Sequence, residues 1–191
     1  AGDDKVVRQW PVDDQGKLDR ENAKVFRWAI YREQRGSIYS MDLSPDREQK
    51  YLVVGGFGIR NGSLCLIERA TGNVVQGVTQ PGQGAVVNRV AFSPSGREGA
   101  FGTSAGRVHI WKPFDGQDNI RLLGDHGKEA GRTRGLAWPS ENRIVSVAES
   151  GSFRQWDPRK AQQPAVESGL LKLGSVRAAG MSSAGPGAAT G

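Results

Sequence analysis

Two histidines, one cysteine and carboxylate pairs such as Asp13-Asp14 are the side chains of this chain best suited to acid–base, nucleophilic or metal chemistry. Nucleophilic catalysis needs a Ser or Cys, a base and an orienting group brought together in space. The candidate bases are His109 and His126. His109 stands in "RVHIW", where Val108 and Ile110 alternate with it, so the segment reads as a strand and the histidine as a packing or surface residue. His126 follows Gly124-Asp125. Two histidines without a nearby Cys or carboxylate pattern do not make a metal site. Cys65 lies between Leu64 and Leu66 and reads as a buried, inert thiol. A single cysteine also excludes an internal disulfide and a Cys-built zinc site. Asp13-Asp14 lies in a polar stretch without a convergent partner. Gly55-Gly56-Phe57-Gly58 with Gly62 has the composition of a phosphate-cradling loop, but that device needs a helix after it. The strand-like "SLCLIE" follows instead, so a turn is expected. Asn61-Gly62-Ser63 is a sequon that matters only in a secreted protein. No catalytic residue, cofactor or metal is therefore expected, and the chain is not read as an enzyme.

The elements that must carry these groups recur. "GSLCLIERATG" begins at Gly62, "GRVHIWKPFDG" at Gly106 and "GSFRQWDPRK" at Gly151, at separations of 44 and 45 residues. Before them stand "YSMDLSPDRE", "NRVAFSPSGRE" and "TRGLAWPSEN". Between the two sets lie "YLVVGGFG", "GAFGTSAG" and "RIVSVAESG". After them come "NVVQGVT", "NIRLLGDH" and "VESGLLKL". A period of this length marks a repeat architecture. Met41 and Leu43, Val90 and Phe92, and Leu136 and Trp138 alternate with polar neighbours, which puts each pair on one face of a sheet. Ser-Pro-Asp-Arg, Ser-Pro-Ser-Gly and Pro-Ser-Glu-Asn are turn chemistry. Four short strands in about 45 residues describe one blade of a β-propeller. Trp10, Trp111, Trp138 and Trp156 fall at repeat positions and are expected in the core.

The expected fold class is all-β, a partial, open β-propeller of consecutive four-stranded antiparallel blades. Residues 1–35 read as the C-terminal part of a preceding blade: "KVVRQWPV" as a third strand, the polar Asp13–Asn22 as a loop, and "KVFRWAI", with Phe26, Trp28 and Ile30, as a fourth strand. Residues 36–79, 80–127 and 128–173 read as whole blades. Residues 174–191 read as the start of a further blade or a disordered tail, because 179–191 align without gaps on 90–102. Such an arc leaves blade faces uncovered and is expected to self-associate.

These phrases resemble the WD40-repeat family. Trp156-Asp157 looks like the family's Trp-Asp ending, Phe92-Ser93-Pro94-Ser95-Gly96 like its strand-turn phrase, and Gly124-Asp125-His126 like its Gly-His element with one residue inserted. The resemblance covers residues 1–173 well and 174–191 weakly, and it implies a fragment of a larger propeller protein. In the family a His, a Ser or Thr, an Asp and the Trp form a hydrogen-bonded network. The third repeat has His126, Ser146 and Trp156, with Ser150 at the Asp position. The second has Trp111 with Ala105 at the Asp position, and the first has Ile67 for the Trp and Asn61 for the Asp. The full network is therefore expected in no blade, and apolar packing is expected to compensate. The structural residues on this reading are Trp111, His126, Ser146, Trp156 and Asp157. "REQRGSIYSMDLSPD" and "GGFGIRNG" also resemble large bacterial multidomain WD40 proteins whose propeller accompanies a protease-like or kinase-like domain, and the chain would then be a regulatory part of such a protein.

Composition points the same way. The chain of 191 residues is 37% hydrophobic and 24% charged, as in soluble globular proteins. It contains no apolar run of the roughly 18–20 residues a membrane span needs and no signal-peptide pattern; a cytoplasmic, reducing location and no membrane partner are expected. The net charge of +6 arises wholly beyond residue 50, but the basic residues are scattered. A nucleic-acid partner needs a clustered stripe and is not expected. The resemblance implies a scaffold that binds another protein through one loop face. Positions falling there are Arg35, Arg60, Asn61, Arg89, Ser104, Arg132, Arg134 and Glu149. Five of these eight are arginines, which favours an acidic or phosphorylated segment as partner, alongside the remaining blades of the parent chain. The alternative is an enzyme or ligand sensor with a site on the central axis. The first strands offer it Ser40 and Asp42, Arg89 and Ala91, and Gly135 and Ala137, which do not form a recurring catalytic set.

Overall fold

The computed structural model describes residues 4–27, 36–57, 64–78, 86–116 and 119–160, and the strand pairing of 164–170. The described residues form fourteen strands and a three-residue 3-10 helix, Lys128–Ala130. A two-stranded sheet joins β1 (Val6–Gln9) and β2 (Lys24–Arg27). Three four-stranded antiparallel meanders follow. The first is β3 (Ser37–Leu43), β4 (Tyr51–Phe57), β5 (Leu64–Glu68) and β6 (Val74–Val78). The second is β7 (Val87–Phe92), β8 (Gly99–Thr103), β9 (Arg107–Trp111) and β10 (Ile120–Asp125). The third is β11 (Thr133–Ser140), β12 (Arg143–Ala148), β13 (Ser152–Trp156) and β14 (Pro164–Leu170). The fold is all-β and matches a partial, open β-propeller.

Turn chemistry sets the hairpins. Ser44 and Ser93, both buried, turn their hydroxyls onto the returning strand and accept from the Tyr51 and Glu98 N–H at 2.9 and 3.1 Å. In the β8–β9 turn Gly106 has φ 71° and donates to the Thr103 carbonyl at 3.1 Å. A Cβ there would lie 2.6 Å from the Gly131 oxygen, so both backbone geometry and space demand glycine. In the loop between β1 and β2 the Asp13 carboxylate accepts from the Gln15 and Lys17 N–H, and Asp19 from Glu21 and Asn22.

Each meander's first strand carries a register shift at the same place, between Ile38 and Ser40, Val87 and Arg89, and Thr133 and Gly135. The residues skipped are Tyr39, Asn88 and Arg134. A bulge bends a strand and re-aims a side chain, and here it recurs at one end of every first strand.

The core lies between the sheets. Val53, Leu64 and Leu66 of the first meander pack on Val87, Val90, Phe92, Phe101 and Trp111 of the second. Ala91, Ala100, Val108, Ile110 and Leu123 of the second pack on Leu136, Trp138, Ile144 and Trp156 of the third. Val7 and Phe26 of the two-stranded sheet cover Ile38, Leu52, Val54, Cys65 and Ile67. Each buried Leu, Ile, Val or Phe in these layers contributes roughly 1.5–3 kcal/mol.

One expectation needs correction. Trp10 is 41% exposed rather than in the core, because it lies just past the end of β1, where no described sheet covers it. Met41 and Leu43 are 50% and 37% exposed, although their equivalents Val90, Phe92, Leu136 and Trp138 are all buried. Val90 and Phe92 rest on β4 and β5, strands of a four-stranded neighbour. The neighbour of β3 among the described residues has two strands, and these reach Ile38 but leave Met41 and Leu43 uncovered. Residues 171–191, with the expected further blade or tail, lie outside the described residues, as do Trp28 and Ile30.

Candidate interaction face and tryptophan network

Trp156 ends β13 at 1% exposure, facing β12 in the register Ile144↔Trp156. Its Nε1–H donates to Ser146 Oγ at 2.7 Å. Ser146 Oγ lies 2.7 Å from His126 Nε2, and His126 Nδ1 lies 3.1 Å from Ser152 Oγ. An indole N–H can only donate. The order that satisfies every group runs from Trp156 N–H to Ser146, from the Ser146 hydroxyl to Nε2, and from Nδ1–H to Ser152. It requires a neutral imidazole. Burial, helped by the Arg154 charge and opposed by Asp125, lowers the His126 pKa to about 4, so the ring is neutral at pH 7. Gly124 makes room for the indole: a Cβ there would lie 2.3 Å from Trp156 Cζ3.

No aspartate enters this network, and Ser150, at the position where the family has one, does not reach the imidazole. Ser150 Oγ accepts from the Ser152 N–H at 3.3 Å, and the hydroxyl two residues further on reaches the imidazole. The signal was the second serine of Ser150-Gly151-Ser152. Asp157, beside the indole, forms a paired contact with Arg159, with Oδ1–Nε and Oδ2–Nη2 both at 2.8 Å. These bonds hold its carboxyl well below the usual carboxylate range.

Trp111 occupies the equivalent place in the second meander, opposite Gly99, and is 1% exposed. The position matching Ser146 is Phe101. The Trp111 Nε1 is buried and has no hydrogen-bond partner among the described residues. His109 stacks on Phe101 with ring centroids 4.9 Å apart and planes 4° from parallel. Both its ring nitrogens are buried and have no partner among the described residues. Burial, with a smaller effect from Arg107, lowers its pKa to about 4. Cys65 is 1% exposed, and burial pushes its thiol up to about 12.

Of the eight candidate interface residues, Arg35, Arg60 and Asn61 lie outside the described residues. The other five gather at one end of the second and third meanders, where β7 and β11 begin and β8 and β12 finish. Ser104 and Glu149 open the turns after β8 and β12: the Ser104 N–H donates to the Val86 carbonyl and the Glu149 N–H to the Arg132 carbonyl, each at 2.9 Å. Glu149 Oε2 accepts from Arg132 Nε at 3.2 Å, and Oε1 accepts from Arg134 Nη2. The Arg134 guanidinium beside Glu149 lowers its pKa. Ser104 serves its own turn and stays apart from this cluster.

Arg89 joins the three first strands. Its Nε donates to the Arg134 carbonyl at 2.7 Å, and its Nη1 to the carbonyls of Asn88 at 2.7 Å and Tyr39 at 3.5 Å. These are the three bulge residues, so one guanidinium collects the equivalent carbonyl of each meander. Burial and the Arg134 charge lower its pKa. On the side toward β3, Ser40 Oγ accepts from the Val90 N–H at 3.1 Å and Asp42 Oδ2 from the Phe92 N–H at 2.8 Å. The inner edge of β7 is thus closed by side chains of β3, which protects an edge strand from foreign pairing. Burial raises the Asp42 pKa against these bonds. Among the described residues no group of three or more His, Cys, Asp or Glu converges as a metal site would require, and no helix is long and apolar enough to cross a membrane.

No family model matches the chain, and no curated protein matches its sequence. Solved structures do match its fold. A chain of the structure titled "Crystal Structure of Mitotic Checkpoint Complex" superposes with a TM-score of 0.64 at 16% identity, over 85% of this chain. The match spans 45% of that chain, less than half its length. At this identity the likeness is one of fold: the described residues are arranged as part of a β-propeller.

Proposed function

We propose that the chain is part of a WD40-type propeller scaffold that presents the end bearing Arg89, Arg132, Arg134 and Glu149 to an acidic or phosphorylated segment of another protein. The observation that carries this reading is three arginines against one carboxylate, set on strand ends and bulges that recur from sheet to sheet. Rigid strands fix such side chains for binding at little ordering cost. The fold shared with a chain of a protein complex supports a protein partner in general terms. On this reading the remaining blades come from the same parent chain, the blades divide at about residues 36, 80 and 128, and the protein works in the cytoplasm, where Cys65 stays reduced. Its task is display, not catalysis.

The test is capture of partners from cell extract by the parent propeller. Reversing Arg132→Glu and Arg134→Glu together is expected to abolish capture. Reversing Arg97→Glu and Arg143→Glu, in the β7–β8 turn and at the start of β12 at the opposite end, is expected to leave it intact. The converse pattern would overturn the assignment of the face.

A further inference from the structure

The corner where β7 and β11 begin holds three guanidinium groups and one carboxylate, and their pairing is uneven. Arg132 and Arg134 share Glu149. Arg89 has no carboxylate partner among the described residues. Its hydrogen bonds run from Nε and Nη1 to neutral backbone carbonyls, and its Nη2 makes none among the described residues. The Arg134 Nε is buried and also has no partner among the described residues. Carbonyls satisfy donors but leave the charge uncompensated, so positive potential remains at the corner.

Building on the interaction face above, we propose that this corner receives a phosphomonoester carried by the bound protein segment, and that Glu149 is its built-in competitor. The preference for phosphate over carboxylate follows from the tether. Glu149 is anchored by its own N–H to the Arg132 carbonyl at 2.9 Å, so it faces the arginines at an effective concentration on the order of mM or higher. An incoming carboxylate offers the same two oxygens and single charge and gains nothing by replacing it. A phosphomonoester carries about −1.5 to −2 charge and three strong acceptor oxygens. It can pair with Arg132 and Arg134 and still accept from the Nη2 edge of Arg89, in the forked geometry arginine favours. Glu149, 32% exposed by its side chain, has solvent to turn into.

The experiment titrates the parent propeller with inorganic phosphate, acetate and a phosphoserine peptide, followed by calorimetry. The proteins are the unaltered chain, Glu149→Gln and Arg132→Gln. The unaltered chain is expected to bind phosphate and not acetate, and the peptide more tightly than free phosphate. Glu149→Gln is expected to tighten phosphate by about tenfold and to admit acetate, and Arg132→Gln to weaken phosphate by about tenfold at an unchanged melting temperature. Arg132 is 51% exposed, so its replacement leaves the fold intact. Phosphate affinity indifferent to Glu149→Gln would overturn the competitor, and acetate binding the unaltered chain as well as phosphate would overturn the preference. Equal affinity for peptide and free phosphate would reduce the site to a small-anion site and overturn the segment. If partner capture is lost on charge reversal while phosphate binds none of the proteins, this inference falls and the interaction face stands. If phosphate behaves as stated but capture survives reversal, the face falls and the anion site stands.

Discussion

Trp156 and Trp111 occupy one structural position in adjacent sheets, each 1% exposed at the end of the third strand. Around Trp156, Ser146 accepts the indole proton and passes the chain on through His126 to Ser152. Around Trp111, Phe101 replaces the serine, the indole N–H has no partner among the described residues, and the nearby histidine lies flat on the phenyl ring. In the first meander the same two positions are Val54 and Ile67, buried at 0% and 1% with no polar atom to satisfy. One backbone position therefore admits three solutions: fully polar, mixed and fully apolar. The apolar solution costs nothing in desolvation, and the polar one is stable because every member is bonded. The mixed one leaves buried donors unmet, each at about 1–3 kcal/mol, and must recover that from the packing of Phe101 and Trp111.

The sharpest break in this comparison is Ser146→Ala. It strips His126 Nε2 and Trp156 Nε1 of their shared partner, and a loss of about 2–4 kcal/mol is expected in denaturant unfolding. A loss below about 0.5 kcal/mol would show that the third meander stands on apolar contact as the first does. Acid comes next. His109 and His126 are both held neutral, with pKa values near 4 against an ordinary 6.5. Between those values the unfolded chain binds the protons that the folded chain refuses, so stability falls as pH falls from about 6.5 toward 4. At pH 5.5 the loss is about 1 kcal/mol for each histidine. Asp42, whose pKa is raised by burial, works in the opposite direction. The smallest effect belongs to His109→Phe. It keeps a flat ring on Phe101 and removes two unpaired nitrogens, so stability at pH 7 is expected to be unchanged or higher by up to about 1 kcal/mol. The same variant should lose about half of the histidine-linked acid sensitivity, read by melts at pH 7 and 5.5. A variant weakened by 2 kcal/mol or more would mean that His109 has a polar partner after all.

The 44- and 45-residue repeat was enough to read an all-β propeller arc, because two-residue alternation and Ser-Pro turns are local signals that each strand repeats. The identity of His126, Ser146 and Trp156 was legible for the same reason. Ser152 was not: it joins His126 only because the turn at Gly151 brings β13 back beside β12, and spacing alone pointed to Ser150. The alternation of Met41 and Leu43 is as regular as that of Val90 and Phe92, yet one pair is half open and the other closed. Alternation chooses a face, and only the neighbouring sheet decides whether that face is covered. The corner shows the same division. Arg89, Arg132, Arg134 and Glu149 could be placed at one end from strand order, but not paired. The sharing of Glu149 by two arginines, and the three bulge carbonyls gathered by Arg89, join residues up to 50 positions apart. Those contacts depend on how three sheets stand against one another. That arrangement is set by packing between blades, because a repeat describes each blade separately and carries no term for its neighbour.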